Sequence, residues 1–301
     1  MRKDIEQAVA LLAENDPKSL EQALELLQGT VFSFSMKVCG QREDAEDTMQ
    51  EVLVKSLPHL PKFDGPRALL VWLYKVAKNR CLMSRRRSKF APKQDLSLDE
   101  LMPDGHELAQ LVKGAPLNPE ALAIRSQQAR RLREAIQKLP PQYRIVLVLR
   151  DMEGLTDEEV GEITGLRPGN VRVRLHRARL FVRKELLRPR HGAHRPEKLA
   201  AATRVHPRTA PLAEKRPASC KVLFAQLSNY LDQQMDDSLC QELEKHLGGC
   251  EPCKAFLATL QATIEQLQQL PPESFSKTAA AKLRRDLLQQ YQHTLSSAGV
   301  L

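Results

Sequence analysis

Two proline-bearing stretches constrain the architecture of this chain more than any other feature. Residues 91–124 contain Pro92, Pro103, Gly105, Gly114, Pro116 and Pro119, and residues 188–219 contain Pro189, Pro196, Pro207, Pro211 and Pro217 among Arg, His and Ala. Neither stretch shows sustained apolar periodicity, and the second holds too little apolar surface to fold alone. The 301 residues therefore read as three compact units, at about 1–90, 125–187 and 218–295. A flexible acidic linker at 91–124 and a basic linker at 188–217 would join them. No internal repeat stands out.

The units read as all-α. Aromatic residues make up only 4% of the chain and glycines number 13, which argues against a β-sandwich or barrel. No apolar run approaches the ~20 residues of a membrane helix. The opening segment has acids inside its apolar stretch and does not read as a secretory signal. Six cysteines are too few for a disulfide scaffold and suit a reducing cytosol, so a cytoplasmic location is expected. Cys39 and Cys81 fall on helices of the first unit and read as small buried hydrophobes without partners.

The net charge of +9 hints at nucleic acid, but its distribution says more. Lys75 to Lys89 holds Lys75, Lys78, Arg80, Arg85, Arg86, Arg87 and Lys89 with no acid. Arg167 to Lys184 holds Arg167, Arg172, Arg174, Arg177, Arg179, Arg183 and Lys184, again with no acid. The first linker and the third unit are acidic on balance, so the third unit could mask the basic helices electrostatically.

In the first unit Leu20, Leu24, Leu27, Val31 and Phe34 recur at helical steps. A second helix opens on Asp44 and its neighbouring acids, with Met49, Val52 and Leu53 on its apolar side. A third turns Leu69, Trp72, Leu73, Val76, Ala77 and Leu82 inward and ends in the first basic cluster. Trp72 reads as core rather than as a stacking platform. In the second unit Thr156-Asp-Glu-Glu has the form of a capping box, Gly165 stops that helix, and Pro168 opens the next. Helix, short glycine turn, helix is a helix-turn-helix. Val171, Leu175, Ala178 and Val182 make one apolar stripe on its last helix, with Arg172, Arg174, Arg177, Arg179 and Arg183 off it. A basic face there suits major-groove docking, because Arg pairs with guanine edges and phosphates.

The run from Arg42 to Val52, Phe63-Asp-Gly-Pro, and Val71 to Arg80 followed by Arg85-Arg-Arg resembles the second conserved region of bacterial RNA polymerase sigma factors. The extracytoplasmic-function (ECF) group, which keeps only two core sigma domains, is the nearest match. Leu139-Pro-Pro-Gln-Tyr-Arg, the helix-turn-helix and Asn170 to Arg179 resemble the fourth conserved region of the same group. The resemblance implies that Asp44, Asp47, Gln50 and Glu51 dock on the clamp of the polymerase β′ subunit. It implies that Lys75, Lys78, Asn79 and Arg80 contact the −10 element, with the loop near Pro61–Gly65 holding a flipped base. It makes Arg172, Val173, His176 and Arg177 the −35 readers, with Asn170 on phosphate and the β flap as a further partner. Family members usually carry Thr and Ser where this chain has Asn170 and Val173, which changes what it can read in the promoter.

The third unit contains His246-Leu-Gly-Gly-Cys250-Glu-Pro-Cys253. Three soft or borderline ligands at this spacing suit zinc, and a tetrahedral site needs a fourth, for which Cys220 and Cys240 are both within reach in sequence. The stretch from Cys220 to Cys253 resembles the zinc-binding anti-sigma domain. That resemblance makes Cys220 the fourth ligand of one Zn2+ and implies an intramolecular contact between this unit and the sigma units. A last helix over Lys277–Gln292 either packs on the sigma units or closes its own bundle. The function implied is a non-enzymatic sigma factor that directs promoter-specific initiation with core RNA polymerase and is controlled in cis by its zinc unit. A helix-turn-helix regulator acting without polymerase is the alternative. A zinc enzyme is disfavoured, because His246 is followed by Leu247 and Gly248 rather than by the H-x-E of zinc deaminases.

Overall fold

The computed structural model describes residues 3–14, 16–84, 95–103, 107, 121–188, 218–273, 281, 284–285 and 289. Its elements are all helical among the described residues. The first unit comprises α1 (Lys3–Ala13), α2 (Pro17–Cys39), α3 (Arg42–Ser56), a 3-10 turn (Leu57–Lys62) and α4 (Pro66–Ser84). Asp16 caps α2 by accepting from the backbone N–H groups of Lys18 and Ser19, which satisfies donors that the helix leaves free. Leu24, Leu27, Val31 and Phe34 of α2, Met49, Val52 and Leu53 of α3, and Leu69, Leu73 and Ala77 of α4 are buried together. Trp72 is only partly buried, between Phe63 and His59.

Two expectations need correcting here. Cys39 and Cys81 are not isolated: the last turns of α2 and α4 meet, and the two residues form a disulfide with Cα atoms 5.4 Å apart. The first and second units are also not separate bodies, since their apolar residues form one cluster.

The second unit is α6 (Ala121–Lys138), α7 (Pro141–Leu147) with a π turn at Val148–Met152, α8 (Asp157–Thr164) and α9 (Pro168–Leu187). The capping box at Thr156 and Glu159 forms in both directions. Gly165 ends α8 in the left-handed conformation, with φ 77°, where glycine carries no steric penalty. Val171, Leu175, Ala178 and Val182 are buried as the stripe requires.

Polar contacts fasten this unit to the first. Glu153 is buried and accepts from Lys37 Nζ and from Tyr74 Oη, each at 2.6 Å. Arg144 donates to the Val38 carbonyl at 2.8 Å, and Gln137 to the Lys37 carbonyl at 3.0 Å. Gly40, at φ 78°, makes room for that approach, because a Cβ there would lie 2.1 Å from Gln137 Oε1. Buried polar groups cost free energy unless paired, so this interface has the composition of a specific contact.

The linker expected to be flexible between 91 and 124 contains a short docked helix, α5 (Leu98–Leu101). Leu101 and Met102 are buried in a second apolar cluster with Leu180 of α9 and with residues of the third unit. The remainder of that linker outside 95–103, Glu107 and the start of α6, and all of the linker expected at 188–217 except Arg188, lie outside the described residues. The third unit is α10 (Ala218–Leu231), α11 (Asp237–Gly249) and α12 (Glu251–Gln268). Phe224 and Phe256 pack edge to face at its centre. From the expected last helix Arg284 reaches the first unit and pairs with Glu25 of α2 at 3.0 Å, which favours packing on the other units over closure of its own bundle.

Candidate nucleic-acid interface and metal centre

Helix α9 should offer one basic face, but the described structure divides that face in two. Toward its N-terminus Asn170 and Val173 are exposed, with Arg172, Arg174 and Arg177 half-buried. Toward its C-terminus His176, Arg179 and Arg183 are buried, and the third unit is what covers them. The expectation that His176 and the later arginines face outward is therefore corrected for this arrangement. The eight residues from His176 to Arg183 span about two turns, and α12 and α10 pack along that length.

Arg179 is the centre of this contact. Its guanidinium donates to both oxygens of Asp151, at 2.9 and 2.6 Å, and to both oxygens of Asp232 on the third unit, at 2.8 and 2.9 Å. Burial alone would lower its pKa, but the carboxylates of Asp151 and Asp232 outweigh burial and hold it above the ordinary arginine value. Such bidentate pairs are geometrically specific. Asp151 carries no sequence signal, because a single acid at a helix end looks like any solvated charge; Asp232 lies in the Cys220–Cys253 stretch that carries the anti-sigma resemblance, but nothing there points to Arg179.

Arg183 sits over Phe256, its guanidinium carbon 3.7 Å from the ring centroid, and its Nε donates to Thr259 Oγ1 at 2.8 Å. Burial pushes its pKa down to about 10, against the opposing charge of Glu107, so it remains a cation near neutrality. His176 Nδ1 lies 2.7 Å from Ser228 Oγ. Burial, then Arg179 and Arg177, push its pKa down to about 4, so the ring is neutral at pH 7.

The −10 candidates are also divided. Lys75 and Asn79 are exposed on α4. Lys78 instead donates to the Ile163 carbonyl of α8 at 2.6 Å, and burial followed by the charge of Lys75 lowers its pKa. Arg80 pairs with Glu51 of α3 at 2.7 Å. Of the acidic set on α3, Asp47 and Gln50 are exposed and Asp44 is half-buried. Glu51 is held by Lys55 as well as by Arg80.

His246, Cys250 and Cys253 converge where α11 meets α12, their ligand atoms all within 4.8 Å of one another. His246 Nε2 lies 3.3 Å from Cys253 Sγ. One imidazole and two thiols at a tight corner form a donor set that fits zinc. Cys240 is not part of this group. Cys220 lies on α10, but its side chain falls outside the described residues. The corner sits one helical turn from the contact on α9, since Cys253 and Phe256 both lie in the first turns of α12.

Residues 24–90 match the family model for sigma-70 region 2, residues 129–182 that for sigma-70 region 4, and residues 220–254 that for a putative zinc-finger. The ECF RNA polymerase sigma factor SigW of Bacillus subtilis is 25% identical over 186 residues, covering 62% of this chain and 98% of that protein. ECF sigma factor SigE of Mycolicibacterium smegmatis is 31% identical over 157 residues, covering 52% and 57%. The RNA polymerase sigma-H factor of Pseudomonas aeruginosa is 27% identical over 186 residues, covering 60% and 93%. Among solved structures, the sigma factor RpoE of Bartonella quintana, crystallised with the anti-sigma factor NepR, aligns with a TM-score of 0.40 at 19% identity over 56% of this chain and 97% of that one. With sigma-70 regions 2 and 4 in order and a putative zinc-finger after them, the chain has the domains of a sigma factor similar to the ECF RNA polymerase sigma factors, with an anti-sigma-like unit on the same polypeptide.

Proposed function

We propose that this sigma factor is held inactive in cis by its zinc-finger unit and is switched on when that unit leaves α9. The observation that carries the reading is the shared burial of Arg179 between Asp151 and Asp232. A helix cannot present His176, Arg179 and Arg183 to DNA while the third unit covers them. In the released form Arg172, Val173, His176 and Arg177 would read the −35 element, with Asn170 on phosphate. Val173 could touch a thymine methyl but donates no hydrogen bond, so its base preference should differ from that of a serine. Lys75, Lys78, Asn79 and Arg80 would contact the −10 element, and Asp44, Asp47, Gln50 and Glu51 the polymerase clamp. Each set works by binding, with no reaction catalysed.

One zinc ion would be held by His246, Cys250 and Cys253, with Cys220 as the fourth ligand. The ion would supply a rigid cross-link at the α11–α12 corner. Metal loss or thiol oxidation would loosen the start of α12, where Phe256 and Thr259 hold Arg183. Covalent attachment gives the unit an effective concentration on the order of mM, so a modest contact suffices. No described helix is long and apolar enough to cross a membrane, and the chain would act where polymerase and promoter DNA are.

In vitro transcription with core polymerase tests the reading. The chain lacking 218–301 should initiate from a cognate promoter at least ten times faster than the full chain. Equal rates would remove the inhibitory role. Failure of both to associate with core polymerase would instead favour a helix-turn-helix regulator acting alone.

A further inference from the structure

Residues 95–103 were expected to be a free linker, yet they are held from three sides. Gln142 Nε2 donates to Asp95 at 2.9 Å, and the Leu96 N–H donates to Tyr143 Oη at 3.2 Å. Lys184 Nζ of α9 donates to the Glu100 carbonyl at 2.7 Å. Leu101 and Met102 then enter the apolar cluster whose other buried members are Leu180 of α9 and Phe224, Leu227, Leu243, Leu247, Cys253, Phe256, Leu260 and Ile264 of the third unit. The segment between the two DNA-contacting units thus completes the core of the zinc-finger unit. It is clamped between that unit and the helix that would read DNA.

Clamping shortens the tether. From Ser84 at the end of α4 to Ala121 at the start of α6 the chain could extend roughly 130 Å, at ~3.5 Å per residue. With residues 95–103 fixed to the second unit, only the stretch from Ser84 to Asp95 is left to span, roughly 40 Å. Promoter elements centred about 25 base pairs apart lie roughly 85 Å apart along B-DNA. The free tether reaches that far; the clamped one falls well short.

Resting on the reading of α4 and α9 as promoter-contacting helices, we infer that residues 95–103 are a strap. Through it the zinc-finger unit limits how far the two sigma units can part. The unit therefore blocks promoter binding twice, by covering α9 and by shortening the connection to α4. Docking of the strap and docking of the zinc-finger unit are one event, because each supplies apolar surface to the other. The strap is a partner surface internal to the chain, and its apolar anchors are Leu101 and Met102.

The test uses the full chain with Leu101→Asp and Met102→Asp together, and separately with Gln142→Ala and Lys184→Ala together. The second pair loosens the strap from the sigma side without touching the zinc-finger core. Zinc content is measured in every protein. Fluorescent amino acids at positions 43 and 134, exposed in the first and second units, report separation in the presence of core polymerase and a two-element promoter. Both double variants should show lower energy transfer than the unsubstituted chain and transcribe at least five times faster, with the second pair retaining full zinc. If the 218–301 deletion opens and transcribes while the zinc-replete second pair stays closed and silent, the strap is refuted and the inhibition reading stands. If the deletion itself neither opens nor transcribes, the inhibition reading fails first and takes the strap with it.

Discussion

Arg179 on α9 and Asp232 on the zinc-finger unit form a bidentate ion pair, 2.8 Å at its shortest, around a guanidinium that is 1% exposed. The same guanidinium is paired with Asp151 inside its own unit. Arg179 therefore keeps a counter-ion when the zinc-finger unit leaves, and the released state is not burdened with a bare buried charge. Removing Asp151 would leave Arg179 dependent on the zinc-finger unit alone. The two aspartates should thus separate genetically, one setting release and the other setting the fold.

Asp232→Asn should weaken docking by about 2–3 kcal/mol, below the 3–5 typical of a fully buried pair because Asp232 keeps some exposure. At 1.4 kcal/mol per decade that is roughly a 30- to 150-fold shift toward the released form. Promoter-directed transcription by the full chain should rise. Asp151→Asn, a substitution within the sigma units themselves, should instead lower the thermal stability of the separately expressed sigma portion. An Asp232→Asn protein as silent as the unsubstituted chain would remove this pair from the control of docking.

His176 gives docking a dependence on pH. Its pKa is pushed down to about 4 where it is buried against Ser228, and returns toward the ordinary ~6.5 once exposed. The released state therefore binds the proton more tightly. Docking is at full strength above pH 6.5 and weakens as pH falls from there toward 4, by up to about 1.4 kcal/mol per pH unit. Because the zinc ligands also protonate as pH falls, the informative quantity is the difference between the unsubstituted chain and His176→Gln. The variant should show a shallower loss of docking between pH 6.5 and 5, measured as amide hydrogen-exchange protection across residues 176–184 of α9. Superimposable curves would show that His176 does not set the slope.

The sequence revealed elements better than it revealed their relations. The capping box at Thr156 and Glu159, the stop at Gly165 and the stripe from Val171 to Val182 are local signals, because each follows from residues within a turn or two of one another. The convergence of His246, Cys250 and Cys253 is local for the same reason. What stayed hidden depends on contacts between distant segments. Nothing near Glu153 in the sequence announces that Lys37 and Tyr74 close on it, and Leu101 and Met102 fall in the stretch that reads as a flexible linker. The arginines of α9 were legible as a basic face, but not the fact that Asp232, Phe256 and Thr259 would cover half of it.

Metal removal should act through α12. Cys253 and Phe256 are three residues apart on one helix, and Phe256 is fully buried beneath Arg183. A chelator, or Cys253→Ser, should raise amide hydrogen exchange across residues 250–260 of the full chain and then across residues 176–184 of α9. Transcription should rise in parallel, and added Zn2+ should reverse the chelator effect but not that of the substitution. Protection of α9 that persists after complete metal loss would separate the metal from the switch.

The disulfide between Cys39 and Cys81 joins the last turns of α2 and α4, with Thr48 of α3 lying 3.8 Å from both sulfurs. It closes a loop with a sequence separation of 42 residues, which in the chain-entropy account stabilises the fold by about 4 kcal/mol. It lies wholly within the first unit and far from Asp232, His176 and Phe256 in the chain. Reduction, or Cys81→Ser, should therefore lower the urea midpoint of the first unit without releasing the zinc-finger unit. The check is a urea titration followed by tryptophan fluorescence, since Trp72 is the one tryptophan of the chain and sits on α4. The same protein, oxidised and reduced, is assayed for amide hydrogen exchange across residues 176–184 of α9. A midpoint unchanged by reduction would mean that helix packing alone holds α2 against α4. Loss of α9 protection on reduction would instead make this disulfide part of the switch.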